Sequence, residues 1–213
     1  VGLGRVRAAF ELADRAHSGQ KRKAGTPYVT HCVAAAQICA EMGLDEDSIV
    51  AALLHDCIED TAITHEDIAR QFGAEVADIV EGVTKLTRVQ FTSREDEQME
   101  NLRKMLMAMA KDIRVILIKI ADRLHNMRTM EYMVAQKQLE KSLETMEIYA
   151  PIAHRLGLQK VKWELEDLSL KYLDPDGYRE IITYLDSKAD VLNEFMSDVK
   201  KKITDRLTEY SIH

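Results

Sequence analysis

The chain has 213 residues, 46% hydrophobic and 31% charged, with 29 Lys and Arg against 36 Asp and Glu and a formal net charge of −7. This is an ordinary soluble globular balance, long enough to bury a core without disulfides or a structural metal, and its acidic excess disfavours a general nucleic-acid binder. No apolar run approaches the ~20 residues that span a bilayer, and no charged-then-apolar signal segment opens the chain, so no membrane association and a cytoplasmic location are expected.

With only three prolines and nine glycines, and apolar residues recurring at helical spacing almost throughout, the chain reads as all-α. A first helix is predicted over 4–17, closed by Gly19, and a polar turn with Lys21, Arg22 and Lys23 follows over 20–27. A second helix runs from Thr30 to Gly43, and a third over 47–58 through a continuous apolar run. Thr64 with Glu66 and Asp67 forms an N-cap with acidic residues in the first turn, and Gly73 closes that short helix. Helices are predicted next over 74–86 and 94–111, with the polar stretch 87–94 between them as the most flexible segment. The clearest helix covers 112–133, where Ile113, Ile116, Ile120, Leu124 and Met127 form an apolar stripe. Further helices are predicted over 137–150, 159–172 and 176–207.

Chemistry concentrates at the end of the third helix, in His55-Asp56-Cys57-Ile58-Glu59-Asp60. Helical spacing places Glu59 one turn beyond His55 and Asp60 one turn beyond Asp56. An imidazole beside a carboxylate suits a divalent ion such as Mn²⁺, and without thiolate spacing structural zinc is disfavoured. Further ligands must come from elsewhere. His31 opens the second helix, and Asp122 lies within an apolar helix, where a carboxylate needs a partner. Lys119, Asp122, Asn126 and Thr129 share one face of that helix, a polar wall of mixed sign.

Each feature taken alone has a plainer explanation. A single His-Asp pair is common, Asp122 with Arg123 makes an ordinary salt bridge, and Lys21-Arg22-Lys23 makes a solvated turn. His17, His65, His125, His154 and His213 read as surface or satisfied structural histidines. Met105, Met107 and Met109 read as core filling, and Cys32, Cys39 and Cys57 as buried small hydrophobes in a reducing compartment. The joint pattern weighs more: His, then His-Asp, then Asp, in that order on three separate helices.

The order His31, His55-Asp56, Asp122 resembles the metal signature of the HD superfamily. The surrounding segments resemble the hydrolase domain of the RelA/SpoT homologue family: 17–23, 27–31, 51–61, 81–86, 101–105, 112–129, 148–157 and 162–168. The resemblance implies an HD-domain helical bundle over 1–157, and over 158–213 a C-terminal helical extension leading towards a synthetase domain. It implies one Mn²⁺ held by His31, His55, Asp56 and Asp122, with Glu59 and Asp60 serving the attacking water. Arg22 and Lys23 would neutralise phosphate, and Asn126, Arg128 and Thr129 would line a nucleotide pocket. Helical phase does not support Arg128, which enters through the resemblance alone. The implied reaction removes the 3′-pyrophosphate of guanosine 3′,5′-bispyrophosphate (ppGpp) or its pentaphosphate relative (pppGpp), ending a stringent-response signal and leaving GDP or GTP. The implied partners are the synthetase and regulatory domains of a bifunctional protein.

Three positions depart from the family pattern. Cys57 stands where valine is frequent, Cys32 where proline is, and Ala24 where a small hydroxyl is; none removes a ligand. Two other readings stay open: an HD phosphohydrolase of another nucleotide, and a metal-binding regulatory module with little turnover.

Overall fold

The apolar rows of the sequence become helices packed on one another in a computed structural model that describes residues 2–87, 107 and 111–209. Among these residues the only β pairing is an isolated bridge between Lys21 and Pro27, in keeping with the all-α class. The polar stretch 88–94 and most of the helix predicted over 94–111, with Met105 and Met109, lie outside the described residues. Met107 is exposed, against the expectation of core filling.

Helix α1 (Leu3–Ala16) packs on α3 (Glu46–Leu54), and α3 packs on α2 (Val29–Glu41). Every α3 residue from Ser48 to Leu54 is buried. A helix apolar on all sides belongs at the centre of a fold, and each large side chain fully buried there contributes roughly 1.5–3 kcal/mol. Asp45 starts α3 by accepting the Ser48 N–H.

The helix predicted over 47–58 does not run through. It stops at Leu54, and a separate turn, α4 (Cys57–Asp60), follows. The break falls at His55 and Asp56, with Asp56 at φ −95°, ψ −6°. His55 Nδ1 lies 2.8 Å from the Ala52 carbonyl, and this side-chain bond competes with the helical backbone ladder.

Helix α5 (His65–Phe72) opens with the Thr64–Asp67 capping box, and Gly73 closes it at φ 99°. Helix α6 (Ala74–Thr87) packs on α3, α5 and α7 (Ile113–Arg128). At Gly82 a Cβ would meet Val115 Cγ2 at 2.8 Å, so a hydrogen there permits the close approach of α6 and α7.

Helix α7 ends at Arg128, five residues before the predicted stop, because the chain tightens into a 3₁₀ turn over Met130–Tyr132. Thr129 Oγ1 donates to the carbonyl of His125 at 3.1 Å. Ile116, Ile120, Leu124 and Met127 are buried, together with Val115 and Ile118.

The single helix predicted over 137–150 is three segments: α8 (Ala135–Glu144), a π turn (Thr145–Tyr149) and α9 (Ala150–Arg155). Pro151 has no N–H to offer the preceding turn, and the backbone widens just before it.

By its internal contacts the chain divides into two compact units, Val1–Ser169 and Leu170–His213. Helix α10 (Gln159–Leu173) buries Val161, Leu165 and Ser169. In the second unit, α11 (Pro175–Glu209) leaves Tyr184, Phe195, Met196 and Ile203 exposed. No helix among the described residues is long and apolar enough to cross a membrane.

Candidate metal centre and its cavity

Four side chains nominated by their order along the chain lie together where α2, the α3–α4 break and α7 approach. His31 Nε2 stands 3.2 Å from Asp122 Oδ1 and 3.5 Å from Asp56 Oδ2. His55 Nε2 stands 3.2 Å from Asp56 Oδ2 and 3.9 Å from Asp122 Oδ1. The ligand atoms of His31, His55 and Asp122 all lie within 4.8 Å of one another, and all three residues are buried.

The fit to a cation shows at His55. The Ala52 carbonyl can only accept, so Nδ1 carries the hydrogen and Nε2 keeps its lone pair in the neutral ring. That Nε2 is buried and makes no well-aligned hydrogen bond among the described residues, with Asp56 Oδ2 3.2 Å away. Two imidazoles and two carboxylates are a donor set for a hard-to-borderline divalent ion. Burial works against a charge on His55, but Asp56 and then Asp122 outweigh it and hold the imidazole up to about 9. Burial likewise opposes ionisation of Asp122, yet Lys119 and the two histidines hold its carboxyl well below the usual range.

Asp122 is anchored on its own helix. Lys119 Nζ donates to Oδ2 at 2.8 Å and Asn126 Nδ2 to Oδ1 at 2.6 Å. Asn126 Oδ1 in turn accepts from Arg22 Nη2 at 2.5 Å, so the loop cation is tied to the wall that carries Asp122. The loop is closed by Arg22 N–H to the Thr26 carbonyl at 2.9 Å and Gly25 N–H to the Arg22 carbonyl at 2.8 Å. Gly25 sits at φ 83°, where only glycine is unstrained.

A cavity of about 710 Å³ reaches this group at Asp122, which lines it. Lys21, Arg22 and Lys23 line it from the loop, and Lys119, Asp122, Asn126 and Thr129 from the single polar face of α7. Arg123 and Lys141 add cations on the far side, each held by Glu144 at 2.9 and 2.8 Å. Such a pocket suits an anion of several charges with an apolar body.

Three further nominated residues, Arg128, Glu59 and Asp60, are not part of the cavity lining. Arg128 forms a bidentate pair with Glu164, Nε to Oε1 at 2.6 Å and Nη2 to Oε2 at 2.8 Å, as its helical phase suggests. Glu59 lies half-buried on α4. Asp60 is exposed at the end of α4, and its Oδ2 stands 3.0 Å from Tyr28 Oη.

Two residues of the site were missed in the sequence. Tyr28 Oη is also 2.8 Å from Asp56 Oδ2, so one phenol proton serves two carboxylates. Burial, then those two charges, push its pKa upward. His125 Nδ1 lies 2.7 Å from His31 Nδ1. Burial, then His31 and Arg22, push His125 down to about 4, so it is neutral and can accept from His31, leaving His31 Nε2 free to ligate. Its spacing of three from Asp122 was the available signal. Of the other histidines, His17 is buried and stacked on Tyr28, and His65 pairs with Asp78 at 2.9 Å.

The family described as HD domain matches residues 9–159. A Streptomyces coelicolor protein named GTP pyrophosphokinase is 49% identical over 94% of this chain, which spans 24% of that protein. Escherichia coli K12 "Bifunctional (p)ppGpp synthase/hydrolase SpoT" is 48% identical over 99% of this chain, which spans 30% of it. The chain thus covers less than a third of these relatives' length. A solved structure titled "A metazoan ortholog of SpoT hydrolyzes ppGpp and plays a role in starvation responses" aligns with a TM-score of 0.57 at 25% identity, covering 82% of this chain and 96% of its own. From the four clustered candidate ligands and these matches together, the chain belongs to the HD domain family, among its RelA/SpoT homologues.

Proposed function

We propose that this chain is a Mn²⁺-dependent hydrolase of the 3′-pyrophosphate of ppGpp and pppGpp, yielding GDP or GTP and pyrophosphate. The observation that carries this reading is the group of buried His31, His55 and Asp122 with half-buried Asp56 3.2 Å from His55 Nε2, and a cavity walled by cations that Asp122 lines. The names borne by the relatives and by the solved neighbour support the choice of substrate.

These four residues would hold the ion, which supplies a lowered water pKa and a polarised phosphoryl group when bound. Lys21, Arg22 and Lys23 neutralise the pyrophosphate, Arg22 through a planar fork suited to phosphate. Asn126 and Thr129 face the nucleoside from α7. Water attacks the phosphorus bonded to the ribose 3′ oxygen, that P–O bond breaks, and the 3′ oxygen leaves with a proton. Asp60, with Glu59 beside it, accepts the proton from the attacking water. Tyr28 keeps Asp60 and Asp56 in fixed relation through its shared hydroxyl. Neutral His125 turns the His31 ring. Arg128, paired with Glu164, reaches nucleotide only if that pair opens.

The same reading takes 1–157 as the hydrolase domain and 158–213 as a helical extension towards synthetase and regulatory domains, in a cytoplasmic protein. The test is pyrophosphate release from ppGpp with Mn²⁺ or with EDTA. Metal-dependent release at roughly 1–10³ s⁻¹, with GDP as co-product and plain GTP left intact, is expected. No release from a Mn²⁺-loaded sample would overturn the reading in favour of a regulatory module. Equal turnover of GTP would make it a phosphohydrolase of another nucleotide class.

A further inference from the structure

Cys32 follows His31 on α2 and is fully buried. Its Sγ, a ring nitrogen of His55 and a carboxylate oxygen of Asp56 lie within 4.8 Å of one another. Zn²⁺ sits roughly 2.0–2.3 Å from nitrogen and sulfur donors, so three donors at this spacing need only a small adjustment to meet one ion. The second observation is at His55. Its Nδ1 is committed to the Ala52 carbonyl, and its buried Nε2 makes no well-aligned hydrogen bond among the described residues. His55 belongs both to this trio and to the group of His31, His55 and Asp122, and with Nδ1 committed Nε2 is the nitrogen it can offer to either. Two ions cannot share it.

We propose that Cys32, His55 and Asp56 form a thiophilic metal site that excludes occupancy of the hard-ion centre, so that Zn²⁺ or Cd²⁺ inhibits this chain through Cys32. As the ion binds, a sulfur–metal bond forms and the thiol proton leaves to solvent, with no change of oxidation state. Mn²⁺ gains little from a sulfur donor, whereas Zn²⁺ and Cd²⁺ favour thiolate. The ion's identity therefore decides which flank of His55 it occupies. Inhibition, as distinct from binding, rests on the hydrolase reading above.

The test titrates the metal-free chain with Cd²⁺ and follows the thiolate-to-metal charge-transfer absorbance in the ultraviolet, with Cys32→Ser and Cys57→Ser alongside. A one-thiolate band in the wild type and in Cys57→Ser, absent in Cys32→Ser, is expected. The Cd²⁺ concentration that halves Mn²⁺-supported hydrolysis should also rise in Cys32→Ser, by at least the roughly tenfold that loss of an outer-shell partner costs. Should Cys32→Ser fail to fold by circular dichroism, Cys32→Ala carries the same comparison. A band that persists without Cys32, no band in the wild type, or equal Cd²⁺ sensitivity of the two would overturn the proposal. The last result would mean that Cd²⁺ merely replaces Mn²⁺ among the four original ligands. A Cys32-dependent band in a chain that hydrolyses nothing with Mn²⁺ would support the site and overturn the hydrolase reading instead.

Discussion

Removing the Lys119 ammonium should expose how Asp122 tolerates its burial. The two side chains are 13% and 9% exposed, with Nζ 2.8 Å from Oδ2. At an effective dielectric near 20, opposite charges at that distance attract by about 6 kcal/mol before the cost of removing both from water. Truncating one partner of a buried pair typically costs about 3–5 kcal/mol, because the survivor keeps its charge without compensation. Lys119→Met in EDTA should therefore lower unfolding free energy by about that amount, read by guanidinium titration. Asp122→Asn on the same background should recover part of the loss, and the double-mutant cycle should yield a coupling of about 2 kcal/mol or more. The sign with pH follows from Asp122. Its folded pKa lies below the unfolded value of about 3.9, so its charge stabilises above that pH and the contribution fades as pH falls through it. The deficit of Lys119→Met should accordingly shrink below about pH 4. A loss under about 1 kcal/mol, typical of an exposed pair, would refute the reasoning.

Four further outcomes are expected. His125→Ala should weaken Mn²⁺ binding by about 10–100-fold in calorimetry with the fold retained, and His125→Asn, which keeps an acceptor for His31 Nδ1, should recover part of it. Asp56→Ala should lose metal and activity together, whereas Glu59→Gln should mainly lower turnover with metal retained; equal metal loss in both would overturn that division. His55 is raised from 6.5 to about 9 in the metal-free chain, so its stabilising charge is fully present below pH 6.5 and lost towards pH 9, while apparent Mn²⁺ affinity rises over the same window as the proton to be displaced is released; a flat affinity would contradict this. Gly82→Ala places a methyl 2.8 Å from Val115 Cγ2 and should cost about 1–3 kcal/mol in thermal unfolding, relieved by Val115→Ala.

The helices and their caps were legible because their causes are local. The Thr64–Asp67 capping box spans one turn, the buried row of α7 recurs every three to four residues, and α3 is a continuous apolar run, all visible in a short window of the chain. Candidate ligands were legible for a related reason: His55 and Asp56 are adjacent, and a carboxylate such as Asp122 stands out in an apolar helix, though their joining into one set came from the family resemblance. The limits of local reading appear at the same places. Periodicity carried α3 through His55, because the competing bond from its Nδ1 to the Ala52 carbonyl depends on how the ring is buried. It likewise carried one helix through the π turn before Pro151. Hydrogen-bond and ion-pair partners across long separations were not readable from local pattern. His125 meets His31 across 94 residues, and Arg128 meets Glu164 across 36. Sequence alone determined most of the rows that hide from water and which side chains are candidates for chemistry. Tertiary structure decided which polar atom each buried polar atom faces, because a buried charge or ring nitrogen takes the partner that packing brings within about 3 Å, and that distance is set by the meeting of whole helices.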